Sequence, residues 1–142
     1  MVAAKNRKTV DLRLGMGVGT IHNLNERKIE ESDGEAFQNS GSAFEKIKSY
    51  RRLSLITPWK EINNGWRPSL ALIDALMQRW SLEQAEAVYG WLQGKTQKEI
   101  SSELRIRQPA VSQRLGLAGH FALNEAFASF EMEISKYKAE KQ

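Results

Sequence analysis

The hydrophobic positions change period once along the chain. Val10, Leu12, Leu14, Met16 and Val18 alternate with other residues, which is the period of a strand, and the pattern predicts one over 9–21. Gly15, Gly17 and Gly19 fall on its opposite face and leave that face bare enough for another element to pack close. Asp33-Gly34 reads as a turn, and a helix is expected from Glu35 to Arg52 with Phe37, Phe44, Ile47 and also Leu53 just past its end on the inner side, weakened by Gly41. Between Leu53 and Pro68 the order is broken by Pro58, Asn63-Asn64-Gly65 and Pro68, although Trp59 and Trp66 call for packing. From Ser69 onward the period is helical. Leu70, Ile73, Leu76, Met77 and Trp80 form one stripe, and Leu82, Ala85, Tyr89 and Leu92 are expected to form the inner face of the next helix. Leu123, Phe127, Phe130, Ile134 and Tyr137 form a stripe on the last helix. The pattern predicts an α+β chain: a strand-helix region over 1–57, a joint over 58–68 and an all-α domain over 69–142.

Two capping boxes punctuate the helical half, Ser81 with Gln84 and Thr96 with Glu99, and Gly94 between them suits a helix C-terminus. From Thr96 a short helix is expected to about Leu104, with Ile100 and Leu104 inward. Arg105-Ile106-Arg107 makes the turn, with Ile106 pointing into the core. Pro109 then opens a second helix, because the N–H it lacks would have no partner in a first turn. Val111 and Leu115 are the buried side of that helix. Two short helices joined by a tight turn with one buried apolar residue form a helix-turn-helix, here over 96–115.

Charge sharpens this picture. The chain of 142 residues carries a net charge of +4, and Lys95 to Leu115 alone holds five cations against two anions, a local +3. A basic helix-turn-helix points to double-stranded DNA as partner. Gln108, Ala110 and Gln113 are expected toward base edges, and Thr96, Lys98, Arg107, Ser112 and Arg114 toward phosphates. Reading two half-sites would suit a homodimer, and the aromatic stripe of the last helix is core or, alternatively, the dimer contact. The strand at 10–21 has no evident partner, so it is expected to pair with a second copy, with a separate chain, or with the rest of a longer protein.

The remaining composition mostly excludes. With no Cys there is no disulfide, thiolate zinc site or Cys nucleophile, and His22 and His120 are too far apart in sequence to suggest a metal site. No metal, cofactor or catalytic residue is expected, and no apolar run has the length of a membrane span or a signal peptide. A cytoplasmic location is expected. Gly15, Gly17 and Gly19 fit neither a dinucleotide fingerprint nor a phosphate loop.

Two resemblances add to this reading. TQKEISSELRIRQPAVSQRL resembles the helix-turn-helix of bacterial regulators and of the sigma-factor DNA-reading region, which runs T-Q-x-E-I-A-x-x-L-G-I-S-Q-x-x-V-S-x-R-L. Here Arg105 stands where that pattern has Gly, and Arg107 where it has a capping Ser. Arg13, Gly15, Gly17, Gly19 and Ile21, followed by Asp33, Gly34, Ala36 and Phe37 and then the helix-turn-helix, resemble the C-terminal part of SatD-family proteins. That resemblance implies that the first region is the remnant of a ferredoxin-like palm of the kind found in nucleotide cyclases, without the strands that would carry metal-binding carboxylates. The expected function is therefore a DNA-binding transcriptional regulator and not an enzyme. The alternative is a nucleotide-binding or cyclase-like domain of SatD type, with the helical part as an accessory or protein-contact module. Its nearest carboxylates are Asp11, Asp33 and Glu35.

Overall fold

The glycine face of the first strand is where the N-terminal unit closes. In the computed structural model, which describes residues 12–28 and 32–139, strand β1 (Leu14–Gly17) lies under helix α1 (Glu35–Glu45). The contact is too close for side chains. A Cβ on Gly15 would stand 2.7 Å from the Phe44 nitrogen, and one on Gly17 would collide with the Ala36 carbonyl oxygen and the Ser40 nitrogen. Phe44, expected inward, is instead 56% exposed, because the α1 backbone at Phe44 rather than its ring meets the strand; Ala43 is the buried residue of the helix.

The strand finds its partner within the chain. Strand β2 (Leu53–Ile56) pairs parallel with β1 in the register Leu14↔Leu53 to Gly17↔Ile56, and Leu14 N and Val18 N donate to Arg52 O and Ile56 O at 2.8 and 2.9 Å. Beyond β1, Asn23 and Asp33 form an isolated antiparallel bridge and Ala36 N donates to Thr20 O, tying the chain after the strand to the start of α1. The unit is a β1-α1-β2 arrangement with a two-stranded sheet, and the chain as a whole is α+β.

The stretch 58–68, expected as a joint, is mostly helix. Helix α2 runs Lys60–Met77 with Pro68 inside it. Asn63 is held by its side chain: its Oδ1 accepts from Thr57 N and its Nδ2 donates to Thr57 O, both at 2.8 Å, which also satisfies the buried Thr57. Pro68 deprives the Asn64 carbonyl of its helical donor. Asn64 and Pro68 are both exposed, so water can take that place, while Ile62 and Trp66 hold the opposite side of the helix in buried positions. The chain divides into two compact units within this helix, Met1–Asn63 and Asn64–Gln142.

The second unit contains the rest of α2 and helices α3 (Leu82–Leu92), α4 (Gln97–Leu104), α5 (Gln108–Leu117) and α6 (His120–Ala139). Its core is Ala87, Val88, Ile100, Val111, Leu115 and Ala118, walled by Trp80, Trp91, Leu104 and Ile106. Helix α3 faces this core with the side opposite to the expected one. Leu82, Tyr89 and Leu92 are exposed, and Ala87, Val88 and Gly90 are buried. The helix is apolar on both sides, and the small-residue side wins because it lets α4 come close: a Cβ on Gly90 would stand 2.8 Å from Ile100 Cγ1. The aromatic stripe of α6 is occupied inside the unit. Phe130 packs edge-on to Trp66 at 5.0 Å, Phe127 stacks on Trp91 at 6.1 Å, and Trp66 Nε1 donates to Glu133 at 2.6 Å.

Candidate nucleic-acid interface

Thr96 starts the motif as the N-cap of α4. Its backbone N donates to Glu99 Oε2 at 2.8 Å, and Glu99 N donates back to Thr96 Oγ1 at 3.3 Å. The hydroxyl also donates to Glu99 Oε2 at 2.7 Å, so it is committed to the cap and has no free proton for a phosphate. Hydrogen bonds from the Thr96 backbone and then from its side chain hold the Glu99 carboxyl below its ordinary 4.5. A carboxyl with a depressed folded pKa stabilises the fold above its ordinary range, and this contribution is lost as pH falls through the lowered value. Thr96→Ala is therefore expected to cost about 1 kcal/mol at neutral pH. Glu99→Gln should flatten the dependence of stability on pH below 4.5 relative to the parent. Urea unfolding at pH 7 and pH 3 measures both.

Helix α4 ends at Arg105, whose backbone is left-handed at φ 55 and ψ 43. Ile106 N reaches back to Ser101 O at 3.0 Å, and Ile106 packs against the core, as the turn requires. Helix α5 then begins at Gln108 with Pro109 in its first turn. Arg107 is its N-cap by position, but no side chain caps it. Val111 and Leu115 are buried at 0% and 2% exposure and seat the helix on α3 and α4.

The outward side of the motif carries most of the residues expected to touch DNA. Thr96, Lys98, Arg107, Gln108, Ser112 and Gln113 are exposed. Ala110 and Arg114 are half-buried rather than exposed. Arg114 leans toward α3, where its guanidinium lies 3.9 Å from Glu86 Oε2. Nothing in the sequence pairs these two, because they sit on helices brought together by the core. Lys95 is also engaged, 2.6 Å from Glu103. Such exposed pairs contribute at most about 1 kcal/mol, but they partly neutralise two of the five cations. Among the described residues Lys98, Arg105 and Arg107 have no ion-pair partner, so the unpaired positive charge gathers on α4 and on the turn into α5.

The carboxylates of the alternative reading are not gathered. Asp11 lies outside the described residues. Asp33 Oδ1 accepts from Gly34 N at 2.7 Å, and Glu35 Oε2 accepts from Thr20 N at 3.4 Å, so each is tied to local backbone. Among the described residues no group of three or more His, Asp or Glu is placed to hold a metal ion. No helix of the described residues is long and apolar enough to cross a membrane. No family model, curated protein or solved structure matches the chain.

Proposed function

We propose that the protein binds double-stranded DNA with α5 as the helix that enters the major groove, and that it acts as a transcriptional regulator. One observation carries this reading. A short capped helix, a three-residue turn with one inward Ile106 and a Pro-initiated second helix sit on a common core, and the outward side shows Gln108, Ser112 and Gln113 beside the unpaired Lys98, Arg105 and Arg107. An α-helix fits the major groove, where Gln pairs bidentately with adenine and Arg or Lys holds the phosphates. The resemblance of residues 96–115 to regulator and sigma-factor motifs supports the same reading. A homodimer reading two half-sites is part of this proposal. Its contact would lie away from the α6 aromatic stripe, whose Phe127 and Phe130 are already packed.

For the N-terminal unit we propose kinship with the C-terminal part of SatD-family proteins, supported by its glycine-faced strand and following helix, but without the ferredoxin-like palm that this resemblance implied. The direct adjacency of β1 and β2 counts against a ferredoxin-like origin, since a split β-α-β unit keeps a third strand between its parallel pair. The test of function separates two kinds of contact. Arg107→Ala should weaken binding to every duplex alike, and Gln108→Ala should chiefly erode preference between sequences, by about 1–3 kcal/mol. If both variants bound all duplexes as the parent does, α5 would not be the reading helix.

A further inference from the structure

Three helices of the second unit end at a left-handed residue whose N donates to the carbonyl three residues back, and in two of them the next residue adds a second bond. In α3, Lys95 N donates to Gly90 O at 3.2 Å and Gly94 N to Trp91 O at 2.9 Å, with Gly94 at φ 75. In α4, Ile106 N donates to Ser101 O at 3.0 Å and Arg105 N to Ser102 O at 3.3 Å, with Arg105 at φ 55. Helix α5 is followed by Gly119, also at φ 75, whose N donates to Gly116 O at 3.0 Å. This closing pattern requires a left-handed residue, and glycine takes that conformation without steric cost. Two of the three ends use glycine. Among the described residues Arg105 is the one non-glycine with positive φ.

Among the described residues the side chain of that arginine makes no hydrogen bond or ion pair, and it is exposed. With Ile106, Arg107, Pro109, Ala110 and Gln113 it instead lines a shallow concavity at the start of α5. Pro109 and Ala110 are apolar members of its lining, and Arg105 and Arg107 are its two cationic ones. Guanidinium is the side-chain group best matched to phosphate, because it presents several donors in a fixed plane.

We infer that Arg105 is a phosphate-contacting residue of the DNA interface, kept in a left-handed turn that glycine would fill better. The inference rests on the proposed DNA-binding function and adds to it a residue that stabilises the complex at the expense of the free fold. Arg105→Gly removes both the strain and the contact. Arg105→Gln keeps the left-handed non-glycine and removes only the charge.

The test compares parent and both variants by fluorescence anisotropy on two labelled duplexes of unrelated sequence over a salt series, together with thermal unfolding. Loss of one phosphate contact reduces the dependence of log K on log salt by about 0.9 and weakens binding about tenfold at 0.1 M salt. Both variants should show this on both duplexes. Arg105→Gly should also melt several degrees above the parent, and Arg105→Gln should not. If the parent binds and both variants keep its affinity and salt slope, Arg105 touches no phosphate and the inference fails while the DNA reading stands. If the parent itself binds neither duplex at low salt, the proposed function fails and the inference with it.

Discussion

Leu115→Ala is expected to destabilise the helical unit by about 2–5 kcal/mol, the usual range for truncating a well-packed core leucine. Leu115 is 2% exposed, on the inner side of α5 in one cluster with Val88, Ile100 and Val111. Removing three carbons there leaves a cavity that helices on several sides cannot all close at once. Domains have roughly 5–15 kcal/mol in total, so the loss is a large share, and for a unit of this size it lowers the melting temperature by about 10 °C or more. Two residues further on, Leu117 is 66% exposed, and Leu117→Ala should stay within about 0.5 kcal/mol of the parent. Urea unfolding gives both values. A loss below about 1 kcal/mol at Leu115, with an unchanged m-value, would mean that α5 is not seated on this core.

In the N-terminal unit, Gly17→Ala should cost about 3 kcal/mol, at the upper end for an overpacked site. The added methyl meets the Ala36 carbonyl oxygen and the Ser40 nitrogen, which are backbone atoms of α1 and cannot rotate aside. The helix must lift off the strand. Gly41, on the exposed side of the same helix, has open space where its Cβ would be. Gly41→Ala should therefore have the opposite sign and stabilise by about 0.5–1 kcal/mol through helix propensity alone. Thermal unfolding of the two variants beside the parent reads the pair. Equal effects at the two positions would contradict the close β1–α1 packing.

What could be read from the sequence was what is locally determined. Both capping boxes appear as hydrogen-bonded pairs, at Ser81 with Gln84 and at Thr96 with Glu99, because a cap depends on residues three apart. The start of α5 at Gln108-Pro109 and the inward Ile106 follow from the same short-range logic. The glycine face of β1 signalled close packing, and α1 supplies it. What depends on distant partners was not legible. Strand β2 is the four residues Leu53–Ile56, too short to show a period, and it becomes a strand by pairing with β1. Pro68 and Asn63-Asn64-Gly65 looked like breaks, yet α2 passes through them because Asn63 is tied to Thr57 and the side facing Pro68 is open to water. The orientation of α3 turned on Ala87 and Gly90 admitting a neighbour, which hydrophobicity alone does not reveal.

The same division holds within the candidate interface. The motif is local, and most of its outward residues fall where the spacing put them, Ala110 and Arg114 being half-buried instead. The Arg114–Glu86 approach joins two helices across the core, so this half-buried arginine has an ion-pair partner that the spacing did not reveal. The Thr96 hydroxyl is likewise engaged, by the hydrogen bonds it makes with Glu99 as helix cap. Lys98, Arg105 and Arg107, which have no ion-pair partner among the described residues, are the cations on which salt-dependent binding should chiefly rest.

The most direct test of that account is fluorescence anisotropy of the whole chain with a random-sequence labelled duplex at low and near-physiological salt. The account predicts binding that weakens steeply with salt, with a slope of about 0.9 for each phosphate neutralised. No binding at low salt would contradict it and would leave the helix-turn-helix as a surface for contact with another protein.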